Sequence, residues 1–310
     1  MTDFAIRTHD LTRTFGAVRA VQHVSLEVVS GTIFGFLGPN AAGKTTTIRL
    51  LLGLLEPTQG RAEVLGFDTH AQGGEVRARA GALLEHSGLY ERMSAEDNLG
   101  FYGRIWRLSA DERQARIKEL LTRVGLWERR GETVGTWSRG MKQKLSIARV
   151  LLHRPRLVFL DEPTAGLDPI ASAALHEDLA TLATQENVTV FLTTHNLAEA
   201  EKVCERVAVI REGQLLAVGS PDELRARQGT PRVEISGRDF SEDLLGALRA
   251  RPEVVKVERH DHGVLIDLRG SVDTAPLVSL VVGAGAQVEE VHRSKASLEE
   301  VFLTLMDEEA

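Results

Sequence analysis

The nine residues GPNAAGKTT, at positions 38–46, constrain this chain more than any other stretch. A glycine, four residues and then Gly43-Lys44-Thr45 is the spacing of a phosphate-binding loop. The surroundings fit: Thr32–Leu37 (TIFGFL) is a short apolar run suited to a buried strand, and Thr45–Leu55 continues with helical character. Strand, glycine loop and helix together place backbone N–H groups and a helix N-terminus around an anion. Gly38, Pro39, Asn40, Ala41, Ala42, Gly43, Lys44, Thr45 and Thr46 therefore form a candidate nucleotide cradle. In it Lys44 neutralises β/γ-phosphate charge and the Thr45 hydroxyl is offered to Mg²⁺. Alone, the pattern arises by chance in roughly one chain of this size per hundred. Ala41 stands where many such loops carry another glycine. If the backbone is left-handed there, alanine costs about 1–2 kcal/mol, but its N–H remains in place.

The bulk properties set limits. A chain of 310 residues has room for two domains, each with its own core. Its 43% hydrophobic and 26% charged residues are those of an ordinary globular protein, which argues against wholesale disorder. No stretch approaches the ~20 apolar residues of a membrane span, and MTDFAIRTHDLTRTFG lacks a signal segment. The single cysteine, Cys204, suits a reducing cytoplasm and reads as a small buried hydrophobe. The net charge of −7 resides in residues 229–310, with 16 acidic residues against 9 Lys+Arg. Neither part of the chain is a basic platform, so nucleic acid is not an expected partner.

Alternating stretches at Ala5–Leu11 and Val24–Val28 predict strands of a mixed edge sheet. Ser94-x-x-Asp97 and Ser109-x-x-Glu112 have capping-box form and predict a helical insertion over 95–130. Leu157–Leu160 (LVFL) and Val188–Leu192 (VTVFL) are continuous apolar strands of a parallel sheet covered on both faces. Ser220-Pro221-Asp222-Glu223 starts another helix, and Gly229-Thr230-Pro231 marks a boundary between domains 1–228 and 229–310. Beyond it the order is strand 232–236, helix 241–250, strands 254–259 and 263–269, helix 274–284 and strand 286–292. That β-α-β-β-α-β order predicts a small ferredoxin-like α+β module, followed by a helix capped at Ser297.

Further motifs bring chemistry to the phosphate loop. Arg156–Glu162 (RLVFLDE) is a hydrophobic strand ending in two carboxylates that can reach the phosphate edge as the chain turns. Asp161 is suited to hold Mg²⁺ through water, and Glu162 to polarise the attacking water. Thr194-His195 follows VTVFL, where an imidazole can donate to a γ-phosphate. Trp137–Gln143 (WSRGMKQ) precedes the helical run LSIARVLL. In this order GPNAAGKTT, WSRGMKQ, LVFLDEP, AGLD and TTH resemble, motif for motif over residues 1–225, the ATP-binding subunit of ABC transporters. WSRGM is similar to that family's signature, as a divergent LSGGQ.

The resemblance implies an α/β fold: a P-loop ABC-type ATPase domain with a mixed sheet and a helical subdomain at about 90–150. ATP and Mg²⁺ are the implied cofactors. Ser138 and Gly140 are implied to start a helix facing the γ-phosphate of ATP on a second copy, making a composite site. Asp168 corresponds to the loop linking the two sites, and Phe15 to the aromatic that stacks on adenine. Glu85 (in LLEHSGLY) stands where the family carries a glutamine that senses Mg²⁺ and the membrane partner; glutamate can still accept from metal-bound water. Lys44, Glu162 and His195 are the implied catalytic set.

Such a chain borrows its membrane span from a separate permease and works peripherally on the inner face of the membrane. Tyr90, Phe101, Tyr102 and Trp106 lie where the family grips a permease helix, though they equally suit the core of the helical insertion. The ferredoxin-like tail ending in KASLEEVFLTLM looks like that of daunorubicin/doxorubicin-resistance ATP-binding subunits, and favours export of a hydrophobic compound. That tail is suited either to pairing two ATPase subunits or to regulating them. A soluble ABC ATPase acting on ribosomes or DNA, and a nucleotide-binding regulator, remain as other readings. An RNA-recognition module is disfavoured, because VVKVER and VLIDLR lack aromatics and the tail is acidic. Arg259-His260-Asp261-His262 reads as a solvated turn rather than a metal site.

Overall fold

The computed structural model describes residues 3–228, 231–260, 262–270, 272–294 and 297–307. They divide into two compact units, Met1–Ser220 and Pro221–Ala310.

In the first unit β1 (Phe4–Phe15) mixes buried and exposed residues, with Ala5, Ile6 and Leu11 fully buried. β2 (Val18–Val24) and β3 (Glu27–Val29) pair antiparallel with it. β4 (Ile33–Leu37) is buried at every residue and leads through the glycine loop into α1 (Lys44–Leu51). β5 (Gln59–Val64) and β6 (Phe67–Asp68) complete a sheet of order β2-β1-β5-β6, with β3 on β1. All its pairings are antiparallel, so the edge sheet is not the mixed one expected. Two-residue turns join β1 to β2 and β5 to β6, which only antiparallel neighbours permit.

α2 (Gly73–Arg79) and β7 (Ala80–Leu83) precede the helical segment. There α3 (Ala95–Ile105) is capped by Ser94 and α4 (Ala110–Arg123) by a complete Ser109/Glu112 capping box. α5 (Arg139–Val150) starts at Ser138, which caps it through the Met141 N–H. The remaining elements are β8 (Leu157–Asp161), α6 (Pro169–Glu186), β9 (Thr189–Thr194), α7 (Leu197–Val203), β10 (Arg206–Arg211) and β11 (Gln214–Gly219).

These strands form a six-stranded sheet of order β11-β10-β4-β9-β8-β7, parallel throughout except for the β10–β11 pair. Its mixed character is the one implied for the ATPase domain. Phe34, Phe36, Phe159 and Phe191 pack across β4, β9 and β8 with ring centroids 5.4–5.7 Å apart. Strands buried on both faces must be apolar throughout, which is why TIFGFL, LVFL and VTVFL carry no alternation. Register brings Leu37 opposite Thr194 and Asp161 opposite Thr193. The glycine loop, the acidic pair and the histidine thus leave the sheet side by side, at its carboxyl edge.

The second unit begins with α8 (Pro221–Gln228), which packs on the final helix of this unit. The division therefore falls before α8, whereas the sequence reading placed it at 228/229; Gly229 and Thr230 themselves lie outside the described residues. Then follow β12 (Arg232–Arg238), α9 (Glu242–Arg249), β13 (Val254–His260), β14 (Gly263–Leu268), α10 (Ala275–Gly283), β15 (Gln287–Ser294) and α11 (Leu298–Asp307). The antiparallel sheet has order β13-β14-β12-β15, the ferredoxin-like arrangement expected. Val233, Ile235, Val264 and Ile266 form its core with Leu244, Leu248, Leu277 and Val281 of the two helices. Ser297 and Glu300 make the reciprocal bonds of a capping box at the start of α11. Arg232 bonds both Asp267 and Glu300, tying that helix to the sheet.

Asp261 lies outside the described residues, and among those described no three or more His, Cys, Asp or Glu side chains gather as a metal site. Cys204 is buried, and burial pushes its thiol up to about 12, so no reactive thiolate forms at neutral pH. No described helix is long and apolar enough to cross a membrane.

Candidate active site

The site is built around a helix start that nothing in the protein caps. Ser, Asp or Asn side chains cap α3 to α7 and α9, but α1 begins at Gly43 with no side-chain cap and no acid in its first turn. Its free N–H groups, with Lys44 immediately following, make an anion site. Gly43 has φ +104°, and a Cβ there would stand 2.2 Å from the Ala20 carbonyl, so only glycine fits. Ala41 has φ +64°. The alanine thus occupies the left-handed position anticipated from the sequence, and the loop carries that strain.

Lys44 is 7% exposed and its Nζ donates to the Gly38 carbonyl at 2.7 Å and the Pro39 carbonyl at 3.2 Å. The same nitrogen lies 3.0 Å from Glu162 Oε1. No aligned hydrogen bond reaches that oxygen, so charge attraction rather than a directed bond holds the pair. On its other side Glu162 Oε2 is 2.8 Å from His195 Nδ1. Glu162 itself has φ +50°, its N–H held by the carbonyl and hydroxyl of Thr193, each at 3.1 Å. One chain of contacts therefore links Lys44, Glu162 and His195.

A second cluster lies beside it. The Thr45 hydroxyl donates to Asp161 Oδ2 at 2.6 Å, and the Thr193 hydroxyl donates to Oδ1 at 2.5 Å. Two hydroxyls and a carboxylate are hard oxygen donors of the kind a divalent cation takes. Thr193 was not singled out from the sequence; the available signal was a fully buried polar residue closing an apolar strand.

An open cleft runs along these groups. Its walls include Val18 and Ala20, the loop residues Pro39, Asn40, Ala41 and Gly43–Thr46, Glu85, Asp161 and Glu162, and Arg139, Lys142 and Gln143. Glu85 is 64% exposed in its side chain and pairs with Arg49 of α1 at 3.7 Å. Gln143 Nε2 donates to the Pro163 carbonyl at 2.6 Å, holding the turn after Glu162. Arg139, Lys142 and Gln143 were missed from the sequence, although i, i+3 and i+4 spacing from the capped start of α5 puts them on one helix face.

Other expected residues do not line this cleft. Ser138 caps α5, Asp168 caps α6 by accepting from the Ala171 N–H at 2.9 Å, and neither they nor Gly140 line the cavity. Phe15 is 43% exposed at the end of β1, with the Arg13 guanidinium 4.6 Å from its ring centre. Of the four aromatics, Tyr90, Phe101 and Tyr102 cluster with centroids 4.9–6.2 Å apart, while Trp106 stacks on His153 at 3.8 Å.

Comparison with known proteins agrees with this geometry. Residues 21–165 match the ABC transporter family, and residues 219–306 match the ATP-binding protein DrrA1-3-like C-terminal domain. The chain is 36% identical to the bacitracin transport ATP-binding protein BcrA of Bacillus licheniformis, over 97% of each chain. It is also 36% identical to the daunorubicin resistance ATP-binding protein DrrA3 of Streptomyces coeruleorubidus, over 98% of this chain and 96% of that one. A solved ATP binding subunit of an ABC transporter superposes with a TM-score of 0.64 at 31% identity, covering 71% of this chain and 92% of that chain. The chain belongs to the ATP-binding proteins of ABC transporters, ATPases coupled to transport.

Proposed function

We propose that this protein binds and hydrolyses ATP between two ATPase subunits to power a separate membrane permease that exports a hydrophobic, drug-like compound. The observation that carries the reading is the contact chain from Lys44 through Glu162 to His195 at an uncapped helix start. Phosphate oxygens arriving at the loop offer Lys44 a stronger acceptor than the Gly38 and Pro39 carbonyls. Lys44 then leaves Glu162, whose Oε1 turns to the water that attacks the γ-phosphorus. Oε2 stays on His195, which keeps the carboxylate in place and can itself donate to the γ-phosphate.

Thr45 and Asp161 are the residues that would hold Mg²⁺, with Glu85 across the same cleft. The cation would neutralise charge on the β- and γ-phosphates. That Ser138, Gly140 and Asp168 do not line their own cleft supports a site completed by a second copy. Bacitracin transport and daunorubicin resistance in the relatives' names support export of a drug-like cargo over uptake.

Glu162→Gln tests the assignment. It keeps the side-chain volume but removes the base, so ATP turnover should fall by about 100-fold or more with ATP binding retained. The nucleotide-loaded variant should also form a dimer in light scattering and co-purify with a membrane protein. Unchanged hydrolysis in Glu162→Gln refutes the base assignment.

A further inference from the structure

Glu162 and His195 lie on different loops, one after β8 and one after β9, with the Glu162 side chain 24% and the His195 side chain 61% exposed. Their contact is one cross-link between the two loops, and Gln143 holds the Pro163 carbonyl of the first from α5. A second cross-link lies behind it. The Thr164 hydroxyl donates to Glu199 Oε2 at 2.5 Å. Glu199 is in the first turn of α7, and its N–H donates to Asn196 Oδ1 at 3.2 Å, directly after His195. From α6, His176 Nε2 stands 3.7 Å from the same carboxylate oxygen. The His176 and Glu199 side chains are only 20% and 22% exposed, in a pocket walled by Leu179, Leu192 and Val203. A carboxylate this enclosed, with a short directed bond to a hydroxyl, is held in one place.

We infer that Glu199 is a positioning residue: through Thr164 it clamps the turn carrying Glu162 against the turn carrying His195. The loop is thus fixed on both sides of Glu162, by Thr193 at its own N–H and by Glu199 two residues later. Neither Thr164 nor Glu199 lines the cleft, so the clamp acts on the chemical step and not on nucleotide affinity. The inference rests on Glu162 being the water-activating carboxylate.

The test is steady-state ATPase kinetics and equilibrium ATP binding on full-length Thr164→Ala, Thr164→Ser, Glu199→Ala and the Thr164→Ala/Glu199→Ala pair, beside Glu162→Gln. Thr164→Ala and Glu199→Ala should each lower kcat by about tenfold with KM and ATP affinity within about twofold of wild type. The double variant should be no slower than either single one, and Thr164→Ser should restore the rate. Wild-type kcat in Thr164→Ala, losses that multiply in the double variant, or a Thr164→Ser as slow as Thr164→Ala overturns the clamp. Should Glu199→Ala not fold, the Thr164 pair decides alone, because that residue loses only a hydroxyl. If Glu162→Gln still hydrolyses ATP, the reading of the site fails; if Glu162→Gln is inactive and Thr164→Ala is normal, only the clamp fails.

Discussion

Ala41→Gly removes a methyl group from a residue whose φ is +64°. An L-residue held there costs about 1–2 kcal/mol, and glycine relieves that strain. Against it stands the extra freedom glycine gives the unfolded chain, about 0.5–1 kcal/mol. The net is a stabilisation between about 0 and 1.5 kcal/mol. In a unit of this size that raises Tm by up to about 5 °C. Relief of that strain should appear in stability, with ATP affinity unchanged or slightly tighter. Scanning calorimetry and a fluorescent-nucleotide titration measure the two quantities separately. Gly43→Ala is the control with the opposite sign: its Cβ would meet the Ala20 carbonyl at 2.2 Å, on a backbone of φ +104°. That variant should lose ATP binding and melt well below wild type. A drop in Tm, or a large loss of ATP affinity, in Ala41→Gly would refute the conformational argument.

Thr45→Val removes the hydroxyl that donates to Asp161. It should cost about 1–3 kcal/mol of stability and abolish the Mg²⁺ dependence of ATP binding, which Thr45→Ser should keep; titrations with and without Mg²⁺ read this out. His153 tests the pH response. Burial pulls its pKa below the ordinary 6.5, against the raising effect of the hydrogen bond to the Ala80 carbonyl, with Arg116 and Arg149 adding to the depression. The unfolded chain therefore takes up this proton at higher pH than the folded one. Stability is complete above the unfolded value and is lost as pH falls below it towards the folded pKa. Replacing His153 with Phe, which preserves a ring to stack on Trp106, should flatten the fall in Tm between about pH 7 and pH 5.5. An unchanged slope removes His153 as its origin.

Much of the site was legible because its chemistry is local. The phosphate loop needs glycine at defined spacing before a helix, and the strand ending in Asp161-Glu162 needs apolar residues and then acids; neither depends on distant partners. The ferredoxin-like order was legible for the same reason, since strand and helix periods alternate with clear turns. What failed was of another kind. The antiparallel edge sheet and the place of α8 depend on which surfaces bury against each other, and the pattern of Pro221–Gln228 carries no mark of that choice. Thr193, Gln143 and Glu199 escaped notice because a threonine, glutamine or glutamate in an apolar or helical run is unremarkable until its partner is known.

By itself the sequence determined the chemical parts: a cationic, uncapped loop, a carboxylate pair, a histidine and two folding units. Only the tertiary structure decided that β4, β9 and β8 lie next to one another, and hence that residues more than 100 positions apart in sequence share an edge. Spacing along the chain sets what each segment can do alone. Which segments meet is set by long-range packing, here the phenylalanines between those strands, and by the attraction that leaves Lys44 resting on Glu162.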